Sequence, residues 1–190
     1  SVASGLVPFL ENNESRRVSM GANMLKQAVP LLKSESPFVG TGLERVVCKF
    51  SNCGVVISEV DGIVKYVDAK KIVIEELRGD NLSKIYTYDL NKYLRTNNDT
   101  VLNQYPIVKV NQQVKKNEII ADSQSIENGE LALGKNVLVA FSTWDGYNYE
   151  DSILISERLV REDAFTSIHL EEFEIEAKDT RLGAEEITRD

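Results

Sequence analysis

Glu150 and Asp151 stand side by side in the stretch TWDGYNYEDSIL, residues 143–154, which also holds the only tryptophan of the chain, Trp144. A carboxylate delivered at a turn suits a hard cation, above all Mg2+, which takes one or two carboxylates and leaves its other positions to water and phosphate oxygens. Neighbouring side chains in a regular strand point to opposite faces, so one of the two acids at most faces a site unless the backbone turns between them. Asp145-Gly146 is a tight-turn signal just upstream, and Trp144, Tyr147 and Tyr149 are expected to act as bulky shoulders that fix the loop against a core. On residue types alone, a solvated acidic turn whose tyrosines simply pack is the favoured reading.

The remaining reactive residues offer less. Cys48 and Cys53 have no second pair and His169 is the sole histidine, so no zinc site can be assembled from them. Reduced thiols are the expected state, although a turn at Ser51-Asn52 could bring the two within disulfide reach. Neither cysteine nor His169 is assigned a role. A self-sufficient metal-dependent phosphohydrolase fails on the same count of ligands.

These groups have to be positioned by a folded chain. At 42% hydrophobic and 27% charged, the 190 residues are ordinary globular material, enough for one large domain or two small ones. Thirty acids against 22 bases leave a net charge of −8, which argues against a free-standing, sequence-independent nucleic-acid binder with its basic patch. One wall of a larger nucleic-acid machine stays open. No segment has the length of a membrane span and no basic and apolar blocks form a signal peptide. The chain begins at Ser1 and stops at Asp190 in mid-pattern, as expected of an internal piece.

Val18, Ala22, Leu25 and Val29 recur at helical spacing, which predicts a helix over 13–29, capped by Asn13 and stopped by Pro30. A Ser/Pro/Gly loop, 34–42, follows. The period then changes to two: Val46, Cys48 and Phe50 alternate, and the β-branched runs 55–57, 63–67 and 72–76 predict a meander of short strands. Residues 86–100 fit strand, short helix or both. In PIVKVNQQVKKNEIIADS, Asn111 and Asn117 are the residues that tolerate left-handed turns, suggesting a compact barrel corner. Residues 137–141 predict a strand buried on both faces, Ser156 caps a short helix through Glu162, and a bulge near Glu171-Glu172 is expected to absorb the phase slip between Ile168/Leu170 and Phe173/Ile175.

Taken as text, WDGYNYEDSILISERLV, with VPFLENNESRRVSMGANMLKQAVPLL and FVGTGLERVV, closely resembles the β subunit of bacterial DNA-directed RNA polymerases. NKYLRTN, LNQYP, ADS, GELALGKN and DTRLGAEEIT continue the likeness in order from Leu6 to Ile187. The resemblance implies a mainly β fold with an N-terminal helix: part of a double-psi β-barrel completed by later β sequence, with a barrel-sandwich-like insertion. The implied division is 1–46, helix and loop leading into the barrel; 47–125, the insertion; and 126–190, barrel strands, the WDGYNYEDS active-centre loop and C-terminal strands.

The resemblance also implies roles. Glu150 and Asp151 become catalytic, with Asp151 approaching a second, nucleotide-borne Mg2+ whose site the β′ subunit completes. Arg17 reaches the phosphates of the incoming nucleoside triphosphate, and Gln27 and Lys26 lie near the RNA end of the hybrid. Lys26 stands where several relatives carry arginine, which keeps the charge and loses the planar fork. Asn111, Asn117 and Ser123 replace glycines common in the family's barrel-sandwich turn. Implied partners are β′, the α dimer, ω, σ, template DNA, the RNA transcript and nucleoside triphosphates, in the bacterial cytoplasm. The reaction is nucleotidyl transfer, and the chain alone is expected to be inactive. The competing expectation is a free-standing acidic β-rich interaction or cation-binding module.

Overall fold

The computed structural model describes residues 1–51, 54–77 and 83–189. Cys53, and with it the disulfide reading, lies outside them.

The chain opens with helices. Ser1 caps α1 (Val2–Gly5), a 3-10 turn follows at Leu10–Asn12, and α2 spans Ser15–Lys26. Buried Ala22, with Val18 and Leu25 half-buried beside it, forms the stripe that the spacing predicts. The ends differ from the expectation. Asn13 does not cap α2; its amide donates to Phe9 O at 3.0 Å, while extended Glu14 takes the N-cap position. The helix closes at Gln27, so Val29 falls beyond it, because a residue before proline is pushed out of the helical region and Pro30 brings the chain out early.

The alternation at Val46, Cys48 and Phe50 is not a strand. It lies in α3 (Glu44–Phe50). Leu43 is its N-cap, and Glu44, the first helical residue, reaches back to accept from Thr41 N–H on Oε1 at 2.8 Å. Glu44 and Cys48, one turn apart, share the buried side. In so short a run, period two and period 3.6 cannot be told apart, and the burial of Glu44 and Cys48 one turn apart goes with the helix.

The three β-branched runs are strands, β1 (Val56–Ile57), β2 (Gly62–Val67) and β3 (Lys71–Glu76), but only β2 and β3 pair as a meander, continued by β4 (Ile85–Asp89), while β1 pairs elsewhere. Residues 86–100 resolve into β4 and β5 (Leu94–Arg95), with no helix. There follow β6 (Val101–Leu102), β7 (Tyr105–Pro106), β8 (Gln113–Val114), β9 (Ile119–Asp122), β10 (Ile126–Glu127) and β11 (Glu130–Leu131). One antiparallel sheet runs β4-β3-β2-β8 and a second β1-β9-β7. Val64, Ile72, Ile74 and Val114 from the first meet Ile120 and Ala121 from the second in the main core. Gly62 is required at its place: a Cβ there would stand 2.5 Å from Glu75 O. No closed barrel forms among the described residues.

Asn111 and Asn117 do adopt the left-handed region, at φ 66° and 65°. They occupy the same place in two like turns: Gln112 N–H donates to Lys109 O and Glu118 N–H to Lys115 O, each at 3.1 Å. A positive φ at the third residue alone is the geometry of a type II turn. The side chains repeat as well, Gln112 Oε1 accepting from Lys109 N–H and Glu118 Oε2 from Lys115 N–H. Ser123, buried, keeps out of the left-handed region, so glycine is not needed there.

The last third is largely extended and exposed, with α4 (Glu157–Arg161) and the hairpin β12 (Asp179–Thr180)–β13 (Gly183–Ala184). Ser156 caps α4 as expected, accepting from Arg158 N–H. Residues 137–141 form no strand: Leu138 and Phe141 are each 99% exposed, because no described segment pairs with or covers them. Nor is there a bulge at Glu171-Glu172, since that stretch joins no ladder.

Candidate functional site

The acidic turn is carried on a span held at both ends. Upstream, Glu35 bridges Gly134, pairs with Lys135 Nζ at 2.8 Å and accepts from Asn136 N–H at 3.1 Å. Those bonds, the Lys135 ammonium foremost, hold the Glu35 carboxyl below its ordinary pKa. Downstream, Ser167 bridges Leu31, His169 bridges Thr100, and Leu170 N–H donates to Asp99 O at 2.8 Å. Residues 137–165 project between these anchors. Leu31, shortly after α2, shares its bridge with the segment after α4, so helix and acidic span are tied to one seam.

Within the span, Asp145 and Gly146 both have positive φ, 46° and 77°, and Tyr147 N–H closes the expected tight turn on Trp144 O at 2.9 Å. A second turn follows immediately. Glu150 takes φ 57°, Ser152 N–H donates to Tyr149 O at 3.2 Å, and Ser152 Oγ adds a bond to the same carbonyl at 2.5 Å. The backbone therefore turns between the two acids, which releases them from opposite strand faces. Both carboxylates are exposed.

The aromatic shoulders do not press the loop onto a core: Trp144, Tyr147 and Tyr149 are 62%, 72% and 74% exposed. Internal hydrogen bonds shape the loop instead. Asn148 Oδ1 accepts from Trp144 N–H at 3.0 Å and its Nδ2 donates to Ser142 O at 2.5 Å. Asn148 and Ser152 were not singled out from the sequence. The available signal was the habit of asparagine and serine side chains of bonding nearby backbone.

Arg17 is exposed on the first turns of α2, its Nη1 donating to Met20 Sδ at 3.8 Å. Lys26 is the last helical residue and Gln27 the C-cap, both exposed. Ten residues of helical rise separate Arg17 from Gln27 by about 15 Å. Among the described residues no hydrogen bond or ion pair joins α2 to the turn at 144–152.

No group of three or more His, Cys, Asp or Glu among the described residues is arranged to hold a metal. The turn can still offer one or two exposed carboxylate ligands, the share that Mg2+ takes from protein when phosphate and water fill the rest. The donor set fits a shared Mg2+ site and does not fit a self-contained one. No helix among the described residues is long and apolar enough to cross a membrane.

Two small antiparallel sheets meet in the main core, and an exposed span carries the acidic turn between its two anchors. Residues 57–190 match the family model described as RNA polymerase Rpb2, domain 6, and the chain belongs to that family. Along its whole length it is 58% identical to the DNA-directed RNA polymerase subunit beta of Rickettsia akari (strain Hartford) and 59% identical to that of Rickettsia prowazekii (strain Madrid E). It spans 14% of the length of each of these relatives.

Proposed function

We propose that this chain is the part of an RNA polymerase β subunit that forms one wall of the active centre for DNA-templated RNA synthesis. The observation that carries the reading is identity of 58–59% along the entire chain to proteins named as that subunit, with the acidic turn, α2 and both anchors inside the matched length. The exposed Leu138, Phe141 and Ile153 support it, since large apolar side chains left this fully in water are ones that another segment covers. Other segments of β would cover them, completing a double-psi barrel, and the division at 46/47 and 125/126 belongs to the same proposal.

Asp151 and Glu150 are the residues that would meet a Mg2+ borne by the incoming triphosphate, Asp151 directly or through water. Such an ion supplies charge neutralisation for the phosphates and leaving group when bound. Asp151 orients that charge, and Glu150 adds negative potential beside it. Arg17 offers a planar fork to the triphosphate oxygens. Lys26 and Gln27, at the far end of α2, reach toward the RNA end. The chain supplies no complete ligand set of its own, so β′ completes the centre and the isolated chain does not polymerise. The remaining partners of this reading are the α dimer, ω, σ, template and transcript, in the bacterial cytoplasm.

Asp151→Ala in the assembled polymerase tests it. The elongation rate falls much more than affinity for a primed DNA–RNA scaffold. Equal losses of both, or an unchanged rate, would reject the role of the turn.

A further inference from the structure

From 137 to 158 every side chain is exposed except one: Asn148 is half-buried inside its own loop. Its carboxamide is used at both ends, the oxygen accepting from Trp144 N–H at 3.0 Å and the nitrogen donating to Ser142 O at 2.5 Å. It thus ties the residue just before Glu150's turn back to Ser142, where the chain enters the loop, across the Asp145-Gly146 turn. Immediately beyond the acids, Ser152 Oγ closes onto Tyr149 O. Asn148 and Ser152 therefore clamp the acidic pair from either side. The two ties enclose Glu150, held at φ 57°, a conformation that costs an L-residue free energy and persists only where its surroundings impose it.

We infer that Asn148 is a positioning residue that sets the aim of Glu150 and Asp151, because the loop's aromatic residues are exposed and do not hold it against a core, and this carboxamide is the side chain that reaches back across the Asp145-Gly146 turn to both Trp144 and Ser142. The inference rests on the reading of the acidic turn as a metal-triphosphate contact. Residue type follows from the geometry. Leucine would lose both bonds; aspartate would keep the acceptor for Trp144 N–H but put an oxygen against Ser142 O; asparagine alone serves both.

Trp144 is the only tryptophan of the chain and its backbone N–H is one end of the tie, so it reports on the brace without any metal or nucleotide. In the 190-residue chain, Asn148→Ala lowers the steady-state anisotropy of Trp144 fluorescence and increases quenching by acrylamide. Asn148→Asp falls between it and the parent. In the assembled polymerase, Asn148→Ala raises the Mg2+ concentration for half-maximal nucleotide addition by about tenfold, as expected for a loss of about 1.4 kcal/mol. Excess Mg2+ restores most of the rate, and scaffold affinity is unchanged. Asn148→Asp serves the same measurement if the alanine chain does not assemble.

Unchanged Trp144 anisotropy in both variants overturns the brace. So does a loss of scaffold affinity that tracks the loss of rate, which marks a merely structural role. Asp151→Ala run in parallel separates the two readings. If it is impaired while the Mg2+ dependence of both Asn148 variants matches the parent, the brace alone fails; if it is unimpaired, the reading of the turn fails first.

Discussion

Asp122, with no solvent exposure, accepts the backbone N–H of Gly129 on both carboxylate oxygens, at 3.1 and 3.2 Å. Gly129 sits at φ 73° in the tight hairpin between β10 and β11, beside Asn128 at φ 51°. A buried acid at the end of β9 thus holds the turn of the next hairpin. Burial pushes the Asp122 carboxyl above its ordinary pKa, against the lowering effect of the Gly129 and Asn128 N–H groups.

That shift has a sign that can be measured. A carboxyl whose folded pKa lies above its unfolded value binds its proton more tightly when folded, so its contribution to stability declines as pH rises from about the ordinary 3.8 toward the raised folded value. Asp122→Asn retains an acceptor for Gly129 and removes the titration. The difference in thermal stability between variant and parent should grow in the variant's favour across that window and level off above it. Parallel profiles would show that Asp122 does not titrate differently in the folded chain.

Cys48, 1% exposed against Val55 and Ile126, has its thiol pushed up to about 11, chiefly by burial and further by the charge of Asp122. The thiolate is the reactive form, so folded Cys48 should resist iodoacetamide at neutral pH and react only on unfolding. Peptide mapping after timed alkylation follows Cys48 by itself. Rapid labelling in buffer would contradict its burial.

The paired turns at Asn111 and Asn117 should tolerate glycine and reject β-branched residues. Asn111→Gly should change stability by no more than about 0.5 kcal/mol, whereas Asn111→Val should cost on the order of 1–2 kcal/mol through the left-handed backbone. Urea midpoints for the pair, repeated at Asn117, provide the comparison.

Arg17→Ala in the assembled polymerase should weaken apparent affinity for all four nucleotides together, by about tenfold for a contact worth about 1.4 kcal/mol. Arg17→Lys should recover part of it, since the ammonium keeps charge without the fork. Titration of each nucleotide on a scaffold measures this. An effect confined to one base would reassign Arg17 to base selection, and no effect would leave it a solvated helix charge.

Local chemistry alone determined much of this molecule. The 3.6 period of Val18, Ala22 and Leu25, the β-branched runs of β2 and β3, the asparagines at two left-handed turns, the Asp-Gly turn and the Ser156 cap all depend on interactions within a few residues, so they are legible in order along the chain. Where the outcome depended on a distant partner, sequence pattern was insufficient. Cys48 lies in a helix whose inner side packs on Val55 and Ile126, with Glu44 folded back onto Thr41 N–H at its start. Residues 137–141 have the composition of a buried strand, yet a strand is buried only when another segment lies beside it, and among the described residues none does. The aromatic residues of the acidic loop followed the same rule and stayed in solvent. The turn at Glu150 and the Asn148 crosspiece were decided only in three dimensions, because a carboxamide can donate to Ser142 O and accept from Trp144 N–H only once the chain between them has already turned.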